Sequence, residues 1–155
     1  MVVEHILGKL TKTDKRIDTI TLEWFEHEKK RMRKTTSAGE EMGISVDVPL
    51  EEGDILAEDD TRIVVVEYAP CDLIKIPVHS MKEMGKLCFE IGNRHLSLSI
   101  EDDMVKIPFD EPMFLYLAQL GFHPERACEK LMDVTVCKAH GHSHSHEHSH
   151  DHHHE

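Results

Sequence analysis

None of the four cysteines, Cys71, Cys88, Cys128 and Cys137, stands in a CxxC pair. Scattered thiols of this kind stay reduced in a reducing compartment and are ordinarily small buried hydrophobes. Cys88 is the clearest such case, and Cys137 is the exception, near enough to His140 to assist a metal site. No apolar run approaches the ~20 residues needed to span a bilayer. Met1 to Leu10 also lacks the basic-then-apolar layout of a secretory signal, so the expected location is cytoplasmic, with no membrane partner. Positive charge is scarce: 18 Lys and Arg stand against 30 Asp and Glu, a formal net charge of −12. That balance argues against nucleic acid or an anionic surface as the main partner. There is no HExxH, no GxSxG, no phosphate-binding glycine loop and no Cys–His pair at informative spacing. The many carboxylates fall in turns, where solvation is their ordinary role, and the chain is read as a non-enzyme.

What is present is a soluble composition, 39% hydrophobic and 31% charged, in 155 residues. That length buries a core as one domain or two small ones. Up to about Ala69 the patterning is all-β. Ile20, Leu22 and Trp24 alternate with Thr19, Thr21 and Glu23, and Met42, Ile44, Val46 and Val48 alternate around Gly43, Ser45 and Asp47. Glu51-Glu52-Gly53-Asp54 marks a turn before a short strand to Ala57. Arg62 to Tyr68, with four contiguous branched residues, predicts a strand covered on both faces. The Lys29–Lys34 run is expected to be a solvated hairpin. Ala69-Pro70 is the expected boundary, dividing a β-rich domain at 1–69 from a second domain at 70–138.

In the second domain Cys71 to Ile76 predicts a strand, and Ser80 to His95 a capped helix with its exit. Ser80 and Glu83 have capping-box spacing, and Met81, Met84, Leu87, Cys88 and Ile91 form an apolar stripe. Gly92 is expected as the left-handed residue that ends this helix, with Arg94 and His95 following outside it. Leu96 to Ile100 and Val105 to Phe109 make a hairpin around Glu101-Asp102-Asp103. Pro112 suits the first position of a second helix stopped by Gly121. Phe122 to Val136 should return to the sheet, although Pro124 to Met132 reads equally well as helical. The order β-α-β-β-α-β is the ferredoxin-like, split-βαβ arrangement, so the fold class is α+β.

After Lys138 the composition changes. His140, His142, His144, His146, His148, His150, His152, His153 and His154 alternate mostly with Gly, Ser, Glu or Asp. Residues 139–155 have no apolar pattern and are expected to be a disordered tail in the absence of metal. The irregular insertions and the terminal Glu155 are unlike a purification tag. Neutral imidazole is a favoured ligand for Zn, Cu and Ni, and an H-x-H ladder offers capacity with little selectivity. His95, delivered by a rigid element, is the one structured candidate ligand. A single imidazole holds a divalent cation weakly, so a second subunit across a two-fold axis and the tail are the expected sources of further donors. His5, His27, His79 and His123 have no comparable context.

The run EMGKLCFEIGNRH (Glu83 to His95), the β-rich first half, the β-α-β-β-α-β second half and the histidine-rich terminus resemble the UreE family of urease accessory proteins. That resemblance implies a nickel metallochaperone for urease maturation, with a peptide-binding-like β domain ahead of a ferredoxin-like metal-binding domain. It further implies a homodimer through the second domain, joined to urease and its accessory GTPase complex. Ni(II) would sit between two copies of His95, with His140 and His142 the tail residues that fit best by position and His144 to His154 adding capacity. Two dimers joined around a shared ion would make a tetramer. Residue chemistry alone leaves Zn(II) and Cu(II) open as cargo, because raw affinity does not favour nickel over copper. A zinc or copper buffer whose domain only tethers the tail is the alternative, and a metal-dependent hydrolase lacks a general base.

Overall fold

The computed structural model describes residues 1–137, so the tail expectations, from His140 onward, lie outside the described residues. The first half consists of β1 (Val2–Val3), β2 (Gly8–Lys9), β3 (Arg16–Leu22), β4 (Arg31–Thr35), β5 (Glu41–Ser45), β6 (Asp54–Glu58) and β7 (Arg62–Tyr68), with one 3-10 turn at Trp24–Glu26. These strands form two sheets, ordered β1-β5-β4 and β2-β6-β7-β3. β3 and β7 run parallel over their full lengths, from Arg16 opposite Arg62 to Leu22 opposite Tyr68. The all-β expectation holds. The strand carrying Ile20 and Leu22 stops short of Trp24, however, and β5 stops at Ser45, leaving Val46 buried beyond it and Val48 exposed.

The contiguous apolar run of β7 has the predicted cause. Val64, Val66 and Tyr68 enter the main core with Ile20, Leu22, Met42, Ile44 and Leu56. Ile63 and Val65 face the other way, joining Ile55 beneath Leu10. A strand covered on both faces has no polar side to alternate with. Tyr68 also carries a buried hydroxyl that donates to the Leu50 carbonyl at 2.6 Å. Burial first, and then the nearby carboxylates led by Glu51, push its phenol well above the ordinary range.

The second half follows the predicted order: β8 (Cys71–Pro77), α1 (Met81–Asn93), β9 (Leu98–Ile100), β10 (Met104–Pro108), α2 (Glu111–Gln119) and β11 (Glu125–Glu129). Its sheet runs β11-β8-β10-β9, the split-βαβ arrangement. Pro124 to Met132 is therefore not helical; Glu125–Glu129 pairs antiparallel with β8 in full register. Ile74, Ile76, Val105 and Ile107 face the helices, meeting Leu87, Ile91, Met113 and Leu117 in one buried cluster. The opposite sheet face is ionic, with Lys75 and Lys106 both paired to Glu129.

One element was not foreseen. After β11 the chain crosses to the far edge of the sheet, where β12 (Val134–Thr135) pairs antiparallel with β9. The crossing segment ties the halves together. Lys130 pairs with Glu52 at 2.6 Å, Met132 packs on the first-half core, and the Met132 carbonyl accepts from the Ser99 hydroxyl at 2.6 Å. Asp133, in the left-handed region at φ 52°, turns the chain into β12.

Two predictions concern this scaffold. Tyr68→Phe leaves the buried Leu50 carbonyl without its donor and should cost about 1–3 kcal/mol by denaturant unfolding. Acid should destabilise the fold with a definite sign. Asp18 beside Arg16, Asp72 beside Arg126, and Glu129 beside Lys75 and Lys106 all have lowered pKa values, and the Thr61 and Arg62 backbone N–H groups lower that of Asp59. Depressed folded-state values give stability that is present above the ordinary carboxylate range and lost as pH falls through the folded values. The thermal midpoint should thus hold from neutral pH down to about 4 and decline below it.

Candidate metal centre

α1 begins as its sequence dictates, with one adjustment. The Ser80 hydroxyl accepts from the Glu83 N–H at 3.1 Å, but the Glu83 carboxylate accepts from the His79 N–H at 2.7 Å, one residue further back than the capping box requires. Of the predicted stripe, Leu87 and Ile91 are fully buried and Met84 and Cys88 partly so. Met81 is 91% exposed and takes no part.

The exit of α1 differs from the expectation. Gly92 is helical, the helix continues through Asn93, and the left-handed residue is His95, at φ 58°. The His95 N–H donates to the Gly92 carbonyl at 3.0 Å and the Leu96 N–H to the Ile91 carbonyl at 3.3 Å. These two bonds are the Schellman pattern, with His95 in the place usually held by glycine. Register explains the choice. Such an exit is anchored by an apolar contact between the residue after the turn and one five positions earlier, and Leu96 and Ile91 both belong to the second-half core. Stopping at Gly92 would have set Asn93 in that role.

α2 closes by the same pattern with the ordinary residue. Gly121 sits at φ 94°, its N–H donates to Ala118, and Phe122 donates to Leu117. Its start also shifts by one: Asp110 caps it through the Met113 N–H at 2.9 Å, so Pro112 is the second helical residue rather than the first. The two helices are locked near the α1 exit. The Arg94 guanidinium lies 4.2 Å over the Tyr116 ring, and the Tyr116 hydroxyl donates to Glu90 at 3.0 Å. That carboxylate, by accepting the hydroxyl proton in a hydrogen bond, raises the Tyr116 pKa.

His95 itself is exposed on this rigid corner. Among the described residues its side chain meets that of Cys137, with Sγ 3.8 Å from Nδ1. β12 brings the thiol there, since Val134 pairs with Ser99, Thr135 with Leu98, and the Cys137 N–H reaches the Ser97 hydroxyl at 3.4 Å. Sequence reasoning placed Cys137 by its closeness to His140 and missed its closeness to His95. A two-residue strand carries too little pattern to announce such a crossing. The other histidines go elsewhere: His27 pairs with Glu51 at 3.0 Å, and His5, His79 and His123 are exposed. Among the described residues no group of three or more His, Cys, Asp or Glu is close enough to hold a metal ion. An exposed imidazole beside a thiol fits a borderline divalent cation in kind, and falls short of four donors in number. His140 to His154 lie outside the described residues, the first of them three positions beyond Cys137.

Fold and corner together define a class: a two-part α+β protein whose ferredoxin-like half presents one imidazole at a helix exit, beside the root of a histidine-rich segment. Comparison with known proteins resolves the class further. The family model described as UreE urease accessory protein, N-terminal domain, matches residues 3–69, and the corresponding C-terminal domain model matches residues 71–155. A urease accessory protein UreE from Bifidobacterium longum subsp. infantis is 45% identical over 145 residues, covering 90% of this chain and 65% of the relative's length. Those from Flavobacterium johnsoniae and Acetivibrio thermocellus are 37% and 39% identical, covering 91% of this chain and 90% and 95% of their own lengths. The chain belongs to the UreE urease accessory protein family. Its relatives are named as accessory proteins rather than catalysts, and among the described residues no helix is long and apolar enough to cross a membrane.

The left-handed corner makes its own prediction. A side chain with a Cβ costs about 1–2 kcal/mol there relative to right-handed backbone, a cost that glycine escapes. In metal-free protein His95→Gly should be more stable than His95→Ala by about 1 kcal/mol, the reverse of the order inside a helix. Equal thermal midpoints for the two variants would show that the corner is relaxed.

Proposed function

We propose that this chain is a cytoplasmic nickel carrier, not an enzyme, that delivers Ni(II) to the urease assembly machinery, including its accessory GTPase complex. The observation that carries the reading is the exposed imidazole of His95, fixed at a helix exit that the core locks by Leu96 and Ile91. In this reading residues 1–69 form a partner-facing β domain, 70–138 a metal-binding domain, and 139–155 a loading arm. The names of the relatives support the urease half of the proposal.

The chemistry asks for a site that both holds and releases. Neutral imidazole suits Ni(II), Zn(II) and Cu(II) as a ligand of moderate strength. A homodimer through the second domain sets two copies of His95 opposite each other, because an isologous interface faces each residue with itself. His140 and His142, then His144, His146, His148, His150, His152, His153 and His154, supply exchangeable donors from the arm. An accessible site completed partly by such an arm can pass its ion on by ligand substitution. Two dimers sharing an ion would give a tetramer.

Metal stoichiometry and solution mass test the proposal on the full chain, a truncation after Lys138, and His95→Ala. The truncated carrier should keep one site per dimer, and that site should vanish when His95→Ala is added. Loss of all binding on truncation would instead mark a buffer of Zn(II), Cu(II) or Ni(II) whose domain only tethers the tail. Proton competition adds a pH signature, because a ligating imidazole must be neutral. Nickel affinity of the full chain should fall steeply as pH drops through roughly 6.5, the ordinary imidazole range. Calorimetry showing constant affinity across that range would overturn the imidazole-based site.

A further inference from the structure

We propose that Cys137 is a ligand of the His95 site, so that each chain offers a bidentate nitrogen–sulfur chelate rather than a lone imidazole. This rests on the reading of His95 as a metal ligand and adds a donor of a different chemical kind.

The geometry points to it in three ways. The first is separation. Metal–sulfur and metal–imidazole bonds of about 2.3 and 2.05 Å span roughly 3.6 Å at a tetrahedral angle and roughly 3.1 Å at a right angle. His95 Nδ1 and Cys137 Sγ are 3.8 Å apart, close to the tetrahedral span without any backbone movement. The second is anchoring. His95 is fixed by the α1 exit, and Cys137 by β12 on the same sheet edge and by its N–H to Ser97. His95 is thus held by the backbone bonds of the helix exit, and Cys137, two residues past β12, by its N–H to the Ser97 hydroxyl. The third is access: His95 is exposed and Cys137 half-exposed, so solvent and an incoming ion reach both donors.

The consequences follow from coordination chemistry. Metal binding replaces the S–H bond by a metal–sulfur bond and releases the proton to solvent. Two such chelates across a two-fold axis supply two sulfurs and two nitrogens, a complete tetrahedral set before any tail histidine is engaged. Thiolate is a softer donor than imidazole, so the pair biases the fixed site toward Zn(II) and Cu(I) relative to an all-imidazole shell. The arm's imidazoles would then add exchangeable donors beyond these four, and the ion would be loaded and released through them.

Co(II) titration of the full-length chain tests this, because no residue from 138 to 155 is a cysteine and the tail therefore contributes no thiolate charge-transfer band. A near-ultraviolet thiolate-to-cobalt band should appear in the wild type. It should be lost in Cys137→Ser and in His95→Ala, and be kept in Cys128→Ser, whose thiol is exposed but distant in the sheet from β12. A band that survives Cys137→Ser overturns the proposal. So does the absence of a band in a wild-type protein that still binds one Ni(II) per dimer through His95; that outcome leaves the carrier reading standing. A band that needs Cys137 but persists in His95→Ala overturns the chelate, and the nickel stoichiometry of His95→Ala then decides the His95 reading separately.

Discussion

The apolar pairing of Leu96 with Ile91 across the exit of α1 is the constraint on which the candidate site depends. Ile91 is fully buried and Leu96 packs half-buried against the same second-half core, and this packing sets how many residues separate the last helical turn from β9. The residue between them and the helix must then take left-handed backbone, and in this chain that residue is His95. Packing of buried hydrocarbon, worth a few kcal/mol for each such side chain, outweighs the roughly 1–2 kcal/mol that a side chain with a Cβ loses in that conformation. The comparison with α2 sharpens the point. The same exit there holds Gly121, as conformational preference alone would choose. One exit is relaxed and carries no side chain; the other is strained and carries an imidazole.

Left-handed backbone away from glycine occurs among the described residues only at His95 and Asp133. His95 ends α1 and Asp133 turns the chain into β12, so both lie on the path that joins the helix exit to the end of the described chain. Between them runs β9, whose Ser99 holds the Met132 carbonyl and whose Leu98 and Ser99 pair with β12. Met132 in turn packs on the core of the first half, and Lys130 reaches Glu52 beside it. The candidate site is thereby supported from both halves: from the ferredoxin-like half through α1, and from the β half through the crossing segment. A buried contact in the first half can for this reason bear on the position of Cys137 without touching it.

Residue types settled a good deal of this protein. The apolar run from Ile63 to Val66 announced a strand covered on both faces, since no polar residue interrupts it. Ser80 and Gly121 are cap residues whose side chain, or lack of one, has a single favourable use at a helix end. The β-α-β-β-α order was legible from apolar periods and helix-stop signals, whereas the final strand was left open between helix and sheet. The histidine-rich composition after Lys138 and the GNRH run at Gly92 to His95 pointed to the family that the whole-chain comparisons bear out. Net charge argued against nucleic acid or an anionic surface as a partner without reference to any fold.

Tertiary structure decided what local pattern left balanced. Gly92 and His95 compete for the helix exit, and only the three-dimensional partnership of Leu96 with Ile91 resolves that contest against glycine. Pro124 to Met132 carries both helical and strand periods, and the open edge of β8 selects the strand. β12 is two residues long, too short for any periodicity, and exists because β9 offers unpaired backbone. The meeting of Cys137 with His95, 42 positions apart in the chain, has no trace in either local sequence. Short-range preferences act within a few residues, whereas sheet order is set by long-range backbone pairing, and the meeting of these two side chains needs both the helix exit that holds His95 and the edge pairing that carries Cys137 to it.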